Sequence, residues 1–177
     1  MEPENQTLPV DSSILNTNIE QQNIINLKKF IFLCVTTFGL YGMWWTYKAW
    51  RFYKQKEDSD IMPAMRTIFS IFYLYSLFER IIESTAEKGN KAKFSPIVLF
   101  LGFLAVNLLA YLPDPYWLIS LLGFIFLIPP FLALNFVKLN SKEFVVFDQA
   151  KFNGRQIALI IIGLILWGLV LLGMSME

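Results

Sequence analysis

The chain has 177 residues, a net charge of +1, and a composition that is 55% hydrophobic and 16% aromatic. A water-soluble domain of this size does not bury that share of apolar side chains, and the balanced charge gives no basic footprint for nucleic acid. With no histidine and one cysteine, Cys34, a disulfide framework and a Cys/His metal site are excluded, and the commonest general base is missing.

Residues 1–27 are polar, with few apolar side chains and no periodicity, and read as a disordered tail ahead of a single helical membrane domain over 28–177. The opening lacks the positive n-region of a signal peptide. Asn5-Gln6-Thr7 fits a glycosylation sequon, a three-residue pattern that arises often by chance.

The run 30–47 carries no charge over eighteen residues, with Lys28 and Lys29 at one end and Lys48 at the other. As one helix it measures about 27 Å, just enough to cross a hydrocarbon core. Tyr41, Trp44, Trp45, Tyr47, Trp50 and Tyr53 crowd its second end, as interfacial aromatics do. Gly39 and Gly42 also permit the chain to turn back instead of crossing.

Asp60 and Pro63 start the next helix, over 63–88, which stops before Gly89-Asn90. Arg66, Ser70, Tyr73, Ser76, Arg80, Glu83 and Glu87 mark one face, and Ile68, Phe72, Tyr75, Phe78 and Ile82 the other, so an amphipathic interfacial helix is expected. Three longer charge-free runs, 94–113, 115–137 and 156–176, read as spans. The first two form a hairpin through Leu112-Pro113-Asp114-Pro115, and Pro129-Pro130 is expected to kink the second near one interface. Between the last two, 138–152 mixes charges with Phe144, Val145, Val146, Phe147 and Phe152, and reads as a second interfacial helix. The fold class is all-α: a bundle of about four spans with two interfacial helices.

Basic residues fall at Lys28 and Lys29, between Lys48 and Arg66, between Arg80 and Lys93, and between Lys138 and Arg155; the Asp114 turn and the C-terminus have none. With 30–47 as a span, thirteen basic residues lie inside and two outside; with 30–47 folded back, all fifteen lie inside. The four-span form is the expectation, and the folded-back form is its alternative.

Candidate functional residues form two sets. Lys48, Arg51, Lys54 and Lys56, with Trp44, Trp45 and Trp50, are placed to contact anionic headgroups, at about 1 kcal/mol per basic side chain; the same residues set topology without recognising any lipid. Glu79 and Glu83 are one turn apart and Arg80 and Glu83 are at helix-pair spacing, and with Arg66 they make either a solvated ion-pair face or a polar site. Asn107 is one of few strongly polar side chains inside a span, where interhelical hydrogen bonding is the ordinary role. No Asp, Glu, Lys or Arg lies well inside a run, which lowers the expectation of a proton-coupled pump. Gly163, Gly168 and Gly173 recur every five residues, so they rotate about the helix and read as loose packing space.

Thr37-Phe38-Gly39-Leu40-Tyr41, then Trp45-x-Tyr47-Lys48-x-Trp50, resembles the signature of a family of small uncharacterised bacterial inner-membrane proteins, known only as a domain of unknown function. Pro63-x-x-Arg66-x-Ile68-Phe69 and Tyr75-Ser76-Leu77-Phe78 continue the similarity, while Met43-Trp44 after Gly42 departs from it. The resemblance implies a bacterial inner membrane and no catalytic residues. The expected function is non-enzymatic and without cofactor or metal: a scaffold or accessory subunit whose partners are membrane lipid, another membrane protein or a second copy, and not nucleic acid. A small lipid- or solute-translocating protein and a membrane-embedded lipid-modifying enzyme are the alternatives.

Overall fold

The computed structural model describes residues 22–141, 146–149 and 151–175. Their elements, in order, are β1 (Gln22–Ile24), α1 (Leu27–Thr36), α2 (Leu40–Lys56), α3 (Pro63–Ile68), α4 (Ser70–Glu87), α5 (Pro96–Leu108), a 3₁₀ turn (Leu109–Tyr111), a 3₁₀ helix (Tyr116–Leu127), α6 (Ile128–Leu139), β2 (Val146–Asp148) and α7 (Gly154–Ser175). Two helices, Tyr116–Leu139 and Gly154–Ser175, are long and apolar enough to cross a membrane, and Pro96–Tyr111 is a shorter apolar helix.

Residues 30–47 are not one helix. α1 stops at Thr36, and Phe38 and Gly39 follow with φ of 56° and 79°. The Gly39 amide bonds the Cys34 carbonyl at 2.8 Å and the Phe38 amide bonds Val35 at 3.4 Å, a Schellman-type ending that satisfies the last carbonyls of α1. α2 then returns along α1. Phe30 contacts the rings of both Tyr41 (6.1 Å) and Trp45 (6.0 Å); fifteen residues along a continuous helix would hold Phe30 and Trp45 about 22 Å apart. The fold-back is the alternative that Gly39 allowed, and it replaces the expected continuous helix.

Phe30 is the hub of the core. Its ring stacks on Phe131 of α6 at 4.2 Å, and Trp45 leans on the same Phe131 at 6.2 Å. α2 buries Tyr41, Gly42, Trp45, Thr46, Ala49, Trp50, Phe52 and Tyr53. It is the central helix of the domain, which is why apolar and polar positions do not separate cleanly along it.

α7 approaches the hairpin backbone most closely at Gly163. A Cβ on Gly163 would lie 2.0 Å from the Thr36 carbonyl oxygen and 2.6 Å from the Thr37 Cα. One helical turn on, Trp167 donates its indole N–H to the Val35 carbonyl at 3.2 Å, and its ring lies 4.7 Å from that of Phe38. Gly163 is nine residues into α7, about 14 Å along a helix of about 33 Å, so the tip of the α1–α2 hairpin sits near the middle of α7. Gly163 is therefore a close contact, not loose space.

Three further expectations change. Residues 63–88 are divided at Phe69 (φ −93°, ψ 38°) into α3 and α4. α4 buries Leu74, Leu77, Phe78 and Ile81, while Ile68 and Phe72 of the apolar face are 67% and 75% exposed. Pro129-Pro130 lies in the middle of Tyr116–Leu139, not near an end. The two prolines lack the N–H groups that an α-helix would aim at Ile125 and Phe126, and the Ile128 amide bonds Ile125 in the tighter 3₁₀ pattern.

The helix expected over 138–152 is not formed. Residues 138–139 end α6, 146–148 form β2, and 142–145 and 150 lie outside the described residues. β2 pairs in parallel with β1, Gln22 opposite Val146 and Ile24 opposite Asp148. Residues 1–21 of the expected tail lie outside the described residues, but Gln22–Ile24 is a strand, so the folded domain begins before residue 28. The strand partner is remote in sequence, and only it converts Val146-Phe147 from an amphipathic turn into a ladder.

Gly163→Leu should force α7 off the hairpin, at a cost of about 1–3 kcal/mol for overpacking. Gly168→Ala and Gly173→Ala, where a Cβ meets nothing within 4 Å, should leave stability unchanged. Thermal survival of the monodisperse peak in detergent size exclusion reads the difference.

Candidate functional site

The fold-back gathers the basic segments at one end of the bundle. Gln22, the first residue of β1, donates to Gln55 at the end of α2 at 2.9 Å. Lys29 donates its ammonium to the carbonyls of Gln149 (2.8 Å) and Lys151 (2.7 Å). Lys56 binds Ser84 at 3.2 Å and Glu87 at 2.7 Å. Arg155, at the start of α7, lies 5.7 Å from the Trp44 ring. These contacts tie the N-terminus of α1, the C-termini of α2 and α4, and the N-terminus of α7 to one surface.

The candidate headgroup set is split by this arrangement. Lys54 is exposed, and Lys48, Arg51 and Lys56 are half-buried; Trp44 is half-buried and stacks on Tyr47 at 5.4 Å. Trp45 and Trp50 are core residues, 7% and 0% exposed, and are withdrawn as headgroup contacts. Trp45 packs on Phe131 of α6, and Trp50, on another face of α2, meets Arg66 of α3 and Arg80 of α4. Nothing in an aromatic-rich stretch distinguishes an interfacial indole from a buried one until the packing partner is known.

Trp50 organises the second set. The Arg66 guanidinium lies 4.4 Å from its ring and the Arg80 guanidinium 5.7 Å from it. Arg80 is neutralised by an ion pair with Glu57. Arg66 has the Tyr73 ring 5.3 Å away and, among the described residues, no carboxylate partner. The Trp50 indole N–H is buried and, among the described residues, has no hydrogen-bond acceptor. Glu79 and Glu83 are exposed and do not join the arginines. Sequence spacing missed Glu57, which sits in the bend after α2, because ion pairing between separate elements leaves no periodic signal.

The break at Phe69 opens a groove of about 390 Å³ bounded by Met62, Met65, Arg66, Phe69, Phe72 and Tyr73. Its apolar walls are strongly exposed, Met62 at 68% and Phe72 at 75%. Trp50, which holds Arg66, lies six residues inward from Lys56 on α2, about 9 Å along the helix.

Asn107 stands apart from this cluster. Its amide donates to the Phe103 carbonyl at 2.8 Å and lies where a Cβ on Gly123 would come within 3.0 Å. It borders a second cavity of about 250 Å³ beside the hairpin tip, together with Gly39, Thr46, Ser70 and Ser120. The cavity is small and mostly apolar-walled, with a few hydroxyls and one amide. Among the described residues no three Cys, Asp or Glu side chains converge in a way that would hold a metal ion, and Cys34 is buried as a free thiol.

No family model matches the chain, and no curated protein or solved structure matches it.

Trp50→Ala should destabilise the protein by about 3–5 kcal/mol, the cost of emptying a buried indole site. Trp44→Ala should cost about 1 kcal/mol or less, the scale of an exposed cation–π contact. Chemical-denaturant unfolding in detergent, followed by circular dichroism, separates the two.

Proposed function

We propose that this chain is a non-enzymatic, multi-pass integral membrane protein, a scaffold or accessory subunit that binds a membrane partner or membrane lipid. It crosses three times, through Pro96–Tyr111, Tyr116–Leu139 and Gly154–Ser175, and carries the α1–α2 hairpin as a re-entrant loop. The basic end faces the cytosol, and the sequence resemblance suggests a bacterial inner membrane.

The observation that carries this reading is the fold-back at Phe38–Gly39. It sets Lys28 and Lys29 beside the other basic segments, and every basic residue then falls on one side, the arrangement that the positive-inside rule favours most. α7 supports the partner-binding part. Only Gln156 and Gly163 of its 22 residues are buried, and its outer face carries Ile161, Leu164, Ile165, Leu169 and Leu172 as exposed side chains. Such a face meets lipid or another helix.

Translocation of a small lipid or solute is the second reading, on the small, mostly apolar cavity beside Asn107, whose hydroxyls and amide lie near the hairpin tip. The exposed Glu79 and Glu83 weigh against the lipid-modifying enzyme, which needs them to converge on a pocket.

Single cysteines in a Cys34→Ala background test the topology with a membrane-impermeant thiol reagent. Lys28→Cys, Lys91→Cys and Lys151→Cys should all label from the cytosolic side, and Tyr111→Cys from the other. Opposite sidedness of positions 28 and 91 overturns the re-entrant arrangement. Purification in mild detergent, with mass spectrometry of what accompanies the chain, tests the role: a retained protein or lipid companion is expected. A lone chain that supports solute flux in liposomes moves the assignment to translocation.

A further inference from the structure

We infer that the groove at the α3–α4 break is a binding site for one anionic glycerophospholipid, with its phosphate on Arg66 and an acyl chain along Met62, Met65, Phe69 and Phe72. The inference rests on the membrane reading above and deepens it.

Three observations define the occupant. The groove walls are long, apolar side chains that stand exposed, and Met and Phe adapt to a flexible hydrocarbon chain. One cation lies among them. Arg66 lies over the rings of Trp50 and Tyr73 and, among the described residues, has no carboxylate partner, whereas neighbouring Arg80 is already satisfied by Glu57. A planar guanidinium without a carboxylate is suited to two-point recognition of a phosphate. The third observation is depth. The Trp50 level is about 9 Å inward from Lys56, which pairs with Glu87 at the charged end. With α2 along the membrane normal, that offset would set Arg66 where phosphates give way to acyl chains.

A free phosphate would use Arg66 and ignore the apolar walls. A zwitterionic lipid would use the walls and gain less from the cation. An anionic phospholipid uses both.

The full-length protein, delipidated in detergent, is titrated with phosphatidylglycerol or phosphatidylcholine and read by native mass spectrometry. Phosphatidylglycerol should be retained at least fivefold more tightly, the factor one interfacial cation is worth. Arg66→Gln should remove that preference, Arg66→Lys should keep part of it, and Phe72→Ser should weaken both lipids about equally. Inorganic phosphate should not displace the bound lipid. Unchanged selectivity in a folded, monodisperse Arg66→Gln protein overturns the site, as does displacement by inorganic phosphate. Should Arg66→Gln not fold, Arg66→Lys together with Phe72→Ser decides, and full retention of both lipids by both variants overturns the site. The membrane reading fails separately: it falls if the wild-type chain is recovered in the soluble fraction without detergent.

Discussion

Thr37 donates its hydroxyl hydrogen to the Leu33 carbonyl at 2.7 Å and accepts the Tyr41 amide hydrogen at 2.9 Å. It is fully buried, and it joins the last turn of one helix to the first turn of the next. Between those bonds, Phe38 and Gly39 hold positive φ and reverse the chain. A turn among apolar side chains has no water to satisfy its backbone, and an unpaired group there costs several kcal/mol. The Schellman-type bonds, the Thr37 hydroxyl and the Trp167 indole together satisfy it. Without that satisfaction the segment would be driven to continue as a helix.

Much of the molecule follows from this reversal. It lays α2 along α1, so that Phe30 meets Tyr41, Trp45 and Phe131 in one aromatic cluster. It brings Tyr41 back to α7, where the Gln156 amide donates to its hydroxyl at 3.2 Å. It also brings the basic C-terminal half of α2 to the level of Lys29 and the β1–β2 pair. Glycine at 163 answers the same constraint from the other side, because only a residue without a Cβ lets α7 approach the turn's backbone.

The stretch from Thr37 to Trp50 thus changes its meaning. Its aromatics suggested an anchor at a membrane surface. Trp44 and Tyr47 are half-buried, but Trp45 and Trp50 are packed in the core, and Trp50 is the plate against which two arginines rest. On the outer face of α3 and α4, Ile68, Ile71 and Phe72 stand exposed. Where the surroundings are apolar as well as the interior, hydrophobicity alone does not tell inside from outside.

The sequence by itself determined the helical class, the position of the apolar runs, the tight Leu112–Pro115 turn and the segregation of charge, because these are local properties: run length, proline placement and the absence of Lys or Arg. It also marked Gly39 and Gly42 as the place where crossing and turning back compete. Only the tertiary structure decided that competition, because the bonds that make the turn stable come from Thr37 on one side and from Trp167, far along the chain, on the other. The pairing of β1 with β2, the Glu57 partner of Arg80 and the exposed groove beside Arg66 are likewise contacts between remote segments. Such contacts are energetic facts about neighbours in space, and a linear pattern of residue types carries no record of them.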